Sequence, residues 1–417
     1  MPKERLRRWP ISQPNVKWSG GASSCSRCST TEVRMNALGV RVACGFSFSL
    51  VVRIPYNYST LGDWRFLHKL HWMTRCSALP EDVPVPQPEE GAVLVQIGAA
   101  GLNNTDINIR VAWYSRAVSE GTTLAGAAGG FDGASAEDSG WTGAKLQFPR
   151  IQGADGCGRI VAIGAGVAAN RIGERVLIEP IIRLSQRGVA QILYFGSECN
   201  GAFAEYTCVP SVSAHAISSA LSDAQLASFP CAYGAAEHML ERSQVSRGNL
   251  VLVTGASGGV GTAAVQLAVR RGARVIAVAS PAKAQAVAAL GAALVIARNA
   301  DLVERLGHES VDAVIDVGGG KQFGQLLEVL RRHGRYAVAG AISGPIVDLD
   351  LRTVYLKDLR LDGCTVYESV VFRNLIGYIE RGEIRPLVAS VYPLSSIVAA
   401  QREFSAKGHT GKIVLQP

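Results

Sequence analysis

The feature that most limits what this chain can fold into is the turn Gly255-Ala-Ser-Gly-Gly-Val-Gly261. It lies between an apolar run, Asn249 to Thr254, and a helical stretch, Thr262 to Arg271, that stops at Gly272. A strand that passes through glycines straight into a helix presents free backbone N–H groups at the helix start, where the helix dipole is positive. That combination suits a diphosphate. Ala256, Ser257, Gly258, Gly259, Val260 and Gly261 would form the cradle: Gly258 lets backbone approach the pyrophosphate, and Gly261 lets the helix pack on the strand. The strict G-x-G-x-x-G pattern would have glycine where this chain has Ala256.

The segments beyond the turn supply its context. Arg274 to Val278 reads as a strand, Pro281 to Leu290 as a helix closed by Gly291, and Leu294 to Ile296 and Val311 to Val317 as strands. Phe323 to His333 then reads as a helix closed by Gly334, and Arg335 to Ala339 as a further strand. Repeated strand-helix alternation of this kind forces a parallel sheet with helices on both faces. The expected class is α/β, a doubly wound parallel sheet of Rossmann type.

The end of the second strand bears on which dinucleotide is preferred. An NAD site places a carboxylate there for the ribose 2′-OH. This chain has Ala277-Val-Ala-Ser280-Pro-Ala-Lys283, so Ser280 and Lys283 could instead bind a 2′-phosphate. NADP(H) is the expected cofactor.

The net charge of +8 does not point to nucleic acid for the folded body, because residues 1–78 hold 12 Lys and Arg against 3 acids, leaving 30 against 31 in the rest. Those first residues read as a basic extension. Met1 to Thr31 resembles an organelle transit peptide in composition, and the spacing of Cys25 and Cys28 has no second pair to complete a zinc knuckle. The apolar run Val42 to Val52 is too short to span a membrane. Nine scattered cysteines, an odd number, fit reduced thiols in an intracellular protein. The expected location is cytoplasmic, or mitochondrial if the extension is a targeting segment.

Ahead of the parallel-sheet region, Val93 to Ile97, Arg159 to Ile163 and Glu174 to Ile178 read as short strands of a β-rich domain. Ser119 to Gly143, rich in Gly, Ala and Ser, reads as a long mobile surface loop bordering a cleft. The tail, ending Gly411-Lys-Ile-Val-Leu415, reads as a helix and strand that rejoin this first domain. With these segments in place, the region from about Pro84 onward resembles the medium-chain dehydrogenase/reductase superfamily, and within it the zinc-independent quinone oxidoreductase branch. The resemblance rests on Gly101-Leu-Asn-Asn-Thr-Asp106, Phe148 to Asp155 with Gly156 and Gly158, Gly173-Glu-Arg-Val176, Gly201-Ala-Phe-Ala-Glu-Tyr206, the glycine turn, Val311 to Gly319 and Gly334 to Gly340.

The resemblance implies a GroES-like catalytic domain at 79–221, a Rossmann domain at 222–367, a return to the catalytic domain at 368–417, and commonly a homodimer paired near Cys364 to Val366. It also implies that Val317, Gly340 and Ala341 complete the cofactor surface. Asn103 and Tyr114 would line the substrate pocket, with Asp106 fixing the loop that carries Asn103. Zinc relatives hold their metal at the positions of Asn103, Ala154 and Cys231. Only the last is a ligand here, and a catalytic zinc needs three, so no metal is expected and Cys231 reads as a small residue near the cleft. Asn108 and Ala235 depart from the Tyr and Thr usual in relatives.

Without a Lewis acid, hydride delivery to an activated acceptor is favoured over alcohol oxidation. The expected substrate is a small-molecule quinone or α,β-unsaturated carbonyl. The alternatives are an alcohol or aldehyde dehydrogenase of the same superfamily and a non-catalytic NADPH-binding protein. His215, His238 and His333 read as core histidines without an acidic partner, and Arg331 and Arg332 as residues answering a helix dipole.

Overall fold

The computed structural model describes residues 83–417 apart from Phe148, Arg187 and Gly188, together with two short strands further upstream. Those strands, Thr31–Met35 and Val40–Cys44, pair antiparallel and belong to a separate compact unit. The transit-like stretch before Thr31 and the Cys25–Cys28 pair lie outside the described residues.

In the main unit, alternation of apolar and polar residues builds a mixed sheet from β1 (Ala92–Gly101), β2 (Cys157–Ile163), β3 (Arg175–Ile178), β6 (Tyr206–Pro210) and β7 (Ala214–Ala216). A hairpin of β4 (Ile181–Gln186) and β5 (Val189–Tyr194) stands beside it. A parallel sheet comes next, made of β8 (Leu250–Val253), β9 (Arg274–Ala279), β10 (Leu294–Ala297), β11 (Val311–Asp316), β12 (Leu330–Val338) and β13 (Arg360–Gly363). Its order is β10-β9-β8-β11-β12-β13, with every pairing parallel. This is the doubly wound arrangement, in which the strand order reverses between β8 and β11 and opens a crevice at their carboxyl ends. The last strands, β14 (Val388–Pro393) and β15 (Lys412–Gln416), return to the mixed sheet, where Val414 pairs with Gly101 of β1. The expected fold class is the observed one.

Helix α1 (Asn104–Arg110) follows β1, and α2 (Leu124–Gly129) lies in the segment that composition marked as a mobile loop. That segment is instead ordered. Thr123 caps α2, Gly126 lets the Phe131 ring pack where a Cβ would lie 2.3 Å from it, and Phe131, Ala136 and Leu146 are buried. Small residues here permit close packing rather than motion. Helices α3 (Pro230–Arg242) and α4 (Gly259–Arg270) pack together under the parallel sheet, and α5 (Phe323–Val329) covers its other face.

The helix expected to run to His333 ends at Val329. Leu330 already pairs with Val311, and His333 takes a φ of +60° in the irregularity of β12 between Leu330 and Arg335, where the register shifts. Arg331 and Arg332 are therefore not at a helix end; they face Asp312 at 2.7 Å and Glu309 at 3.7 Å. His333 is exposed with Asp358 3.8 Å away, and His215 is bonded to Glu179 at 2.9 Å, so both have the acidic neighbours that sequence spacing did not reveal.

The sheet's crevice depends on Asp316, which is fully buried at the end of β11. It accepts from Thr254 Oγ1, from Tyr336 Oη at 2.5 Å, and from the N–H groups of Gly318 and Gly319 at 2.8 and 3.1 Å. Asp316→Ala strands these donors without solvent, and should cost on the order of 3 kcal/mol. Urea denaturation reads this directly; a loss under about 1 kcal/mol would show that the network is not structural.

Candidate active site

The glycine turn sits at a true strand-to-helix junction. Gly255 has φ +56°, Gly258 is the N-cap of α4 with no side chain over it, and a Cβ at Gly261 would meet Gly255 O at 2.2 Å. The first turn of α4 thus keeps its N–H groups free beside an exposed Gly258, the requirement for receiving a diphosphate. Ala256 is buried, its N–H bonded to Val278 O at 3.1 Å, so a side chain larger than hydrogen is tolerated there. Val317 packs within 2.7 Å of the Cβ position of Gly255, and Gly340 lies against Val317 O, which brings the ends of β8, β11 and β12 together. Ala341 follows in a loop whose Ser343 N–H bonds Gly318 O at 2.7 Å.

At the end of β9, Ser280 O accepts the N–H of Lys283 at 2.9 Å. The Lys283 ammonium donates to the carbonyls of Lys407 and His409 at 2.7 and 2.5 Å. Partial burial, and then the adjacent Arg298, hold the Lys283 ammonium below its ordinary value. Burial and the neighbouring Lys407 and Lys283 push the His409 imidazole down to about 4. Cations crowd this corner. Sequence reasoning missed Arg298 and the C-terminal loop, since neither is near Lys283 in the chain.

Across the crevice, the residues at the start of α1 converge with a loop before β2 and the start of α3. Asp155, fully buried, is the hub: its Oδ1 accepts the Cys231 N–H at 2.6 Å, and its Oδ2 accepts Asn103 Nδ2 at 2.9 Å and Lys412 Nζ at 2.6 Å. Lys412 also donates to Asn103 Oδ1 at 2.6 Å. The Asn103 amide, which further donates to Gly101 O at 3.3 Å, is therefore engaged inward on both of its atoms. Gly101 has to be glycine for this, because a Cβ would stand 2.7 Å from Asp155 Oδ2.

Asp106 does hold the Asn103 loop. Its carboxyl accepts Asn103 N–H at 2.8 Å and Ala154 N–H at 3.1 Å, and complete burial, together with Asp155, pushes it up to about 7 against the opposing pull of those N–H groups and of Lys412. Tyr114 is half-buried, its hydroxyl 3.4 Å from Thr105 Oγ1, and burial pushes it up to about 12. Cys231 Sγ lies 3.0 Å from Tyr194 Oη, and burial followed by Asp155 pushes the thiol up to about 12 as well. Trp141, from the ordered segment, stacks on Tyr194 at 4.3 Å and walls this side.

The zinc positions of relatives thus come together here, but as an amide whose oxygen already holds an ammonium, a methyl group and a protonated thiol. Among the described residues no group of three His, Cys, Asp or Glu is arranged to hold a metal ion. The side chain that sequence reasoning missed is Lys412. Its signal was a lysine opening the otherwise apolar strand Lys412–Leu415, every residue of which is buried.

A dinucleotide-type turn at a strand-to-helix junction, with the stem of Lys412 from the buried polar cluster lying against it, fits a nicotinamide-type oxidoreductase. Comparison with known proteins narrows this. Residues 89–219 match the alcohol dehydrogenase GroES-like domain, and 259–381 the zinc-binding dehydrogenase family. A putative alcohol dehydrogenase from Sinorhizobium meliloti 1021 is 44% identical, with a TM-score of 0.71 over 81% of this chain and 91% of its own. The quinone oxidoreductase of Lama guanicoe is 27% identical over 81% of this chain and 92% of its own. A 2-octenoyl-CoA carboxylase reductase, solved with NADP and 2-octenoyl-CoA, is 26% identical, with a TM-score of 0.67 over 81% of each chain. The chain belongs to the medium-chain dehydrogenase/reductase superfamily and is quinone oxidoreductase-like.

The Asp106 carboxyl fixes the sign of one pH effect. Its value in the folded protein lies above that of an unfolded aspartate, so the folded state prefers the neutral acid. That contribution is complete below about pH 4 and lost as pH rises through about 7. Melting temperature should accordingly fall between pH 5 and 8, and Asp106→Asn should flatten that slope. Parallel slopes in the two proteins would refute the assignment.

Proposed function

We propose that the protein is an NADPH-dependent reductase that transfers hydride to a quinone or α,β-unsaturated carbonyl without a metal ion. The observation that carries this reading is the Lys412 ammonium, 2.6 Å from both Asn103 Oδ1 and Asp155 Oδ2, in the place that a metal would need. The donor set does not fit zinc. A cation there repels a second one, and the adjoining thiol is held protonated.

The residues do fit a nicotinamide dinucleotide. The first-turn N–H groups of α4, from Gly259 to Gly261, offer a diphosphate donors without a side-chain cap, while Val317, Gly340 and Ala341 line the approach toward the candidate catalytic cluster. Ser280, Lys283 and Arg298 favour the 2′-phosphorylated form, since the corner lacks the carboxylate that would receive a 2′-OH and crowds cations that an added anion would relieve. When bound, the reduced cofactor supplies hydride. The protein's own part is positioning and hydrogen bonding: Asp106 and Asp155 fix the loops, Trp141 and Tyr194 exclude water, and Tyr114 stays protonated as a donor to an acceptor oxygen.

We infer also that a second copy of the chain is the partner. Among the described residues, strand β13 is an edge hydrogen-bonded only to β12, and Leu361, Val366 and Val370 around it are exposed apolar side chains. Unpaired strand edges with apolar flanks favour pairing. Leu361→Lys should shift the hydrodynamic mass of a dimer toward that of one chain; a wild-type protein sedimenting as a monomer would refute this.

The enzymatic reading predicts NADPH oxidation with a 1,4-quinone or an enone that persists in the presence of a chelator. Lys283→Glu should raise KM for NADPH roughly tenfold or more, with NADH much less affected. A strict zinc requirement, or a wild-type preference for NADH, would overturn it.

A further inference from the structure

We infer that Lys412 is a catalytic residue: its ammonium is the fixed positive charge that receives the oxyanion formed when the acceptor takes up hydride. The inference rests on the reductase reading above and adds to the neutral donor Tyr114 the positively charged group which that reading lacks.

The geometry isolates the ammonium for such a role. Lys412 opens β15 and is 4% exposed, so its charge is almost wholly withdrawn from water. Its stem crosses the first turn of α4, where Cδ lies 3.1 Å from the Cβ position of Gly259, and its head reaches Asn103 and Asp155. The cation thus lies between the dinucleotide turn and the cluster that holds Cys231 at the start of α3. Two of its three protons are engaged, and the third has no partner among the described residues.

Asn103 has no comparable capacity, since its amide is bonded to Gly101, Asp155 and Lys412. Its role is to position the ammonium. Asp155 balances the charge and aims it, and an N–H donor in a water-poor site is worth far more to a developing anion than one in solvent.

The step balances without proton loss from lysine. With an enone, hydride forms a new C–H bond at the β-carbon, the C=C pair becomes the enolate C=C, and the carbonyl pair moves onto oxygen, which accepts the third Lys412 N–H. The nicotinamide is oxidised by two electrons, and a solvent proton at the α-carbon completes the saturated ketone.

The test uses 4-nitrophenol as an oxyanion mimic, read by its phenolate absorbance, alongside NADPH affinity read by fluorescence. Wild type should lower the pKa of bound nitrophenol by about one unit or more. Lys412→Met should abolish that shift, bind NADPH within about threefold of wild type, and lose roughly 10²- to 10³-fold in kcat, the effect expected for one oxyanion donor. Lys412→Arg should retain part of the shift. If Lys412→Met does not fold, because Asp155 is left unpaired, Lys412→Met combined with Asp155→Asn carries the same readouts.

Wild type that binds NADPH but leaves nitrophenol unshifted overturns this inference alone. So does Lys412→Met that keeps the shift and binds NADPH tenfold more weakly, which would make the lysine a cofactor-phosphate ligand. Wild type that shifts nitrophenol but binds no NADPH overturns the reductase reading, and the catalytic role with it.

Discussion

The candidate active site depends on a buried ion pair, Asp155 with Lys412, joining residues 257 positions apart in the chain. Burying two charges is costly unless each finds enough hydrogen-bonding partners. Here Asp155 takes three, from Cys231 N–H, Asn103 Nδ2 and Lys412, and Lys412 gains the Asn103 oxygen. Those bonds fix four segments at one point: the end of β1, the loop before β2, the start of α3 and the start of β15. Placing β15 there also brings Gly411 against Ser257 O at 3.2 Å, so the tail that completes the mixed sheet also braces the dinucleotide turn.

A second carboxylate pair shows how the same physics is used for different ends. Glu179, nearly buried, pairs with Arg183 at 2.5 Å and with His215 at 2.9 Å, and Arg183 donates onward to Tyr367 O. This network ties the β4–β5 hairpin to the segment leading into the helix Ser369–Glu380. Its acid is answered by two partners, the Arg183 guanidinium and the His215 ring. Asp155 has a single cation, which keeps one donor in hand. Satisfied pairs brace structure, whereas a pair with a spare donor near a crevice can act on a ligand.

Much of the scaffold was legible in the sequence because it rests on local periodicity. The parallel strands appear as continuous apolar runs, since they are buried on both faces, and the turn at Gly255 to Gly261 is specified by backbone sterics that only glycine satisfies. Two local readings failed for identifiable reasons. The helix beginning at Phe323 stops early because pairing of Leu330 with Val311 outweighs helix propensity, a tertiary effect invisible in the segment itself. The Gly- and Ala-rich segment before Trp141 looked mobile because composition records backbone freedom and not close packing.

The candidate catalytic cluster was legible only in part. Asn103, Asp106 and Tyr114 were identifiable from their neighbourhood in the chain, but what they do is set by partners that topology supplies. Lys412 reverses the reading of Asn103, from a group offered to substrate to one consumed in aiming a cation. An acceptor that becomes anionic requires positive charge at the oxygen and nothing acidic competing for it. In this crevice the thiol and the phenol remain protonated, Asp106 is held toward its neutral form, and Asp155 is matched by the lysine it aims. Such a site loses little by remaining neutral and gains most when negative charge appears, which is the differential that the proposed hydride transfer would draw on.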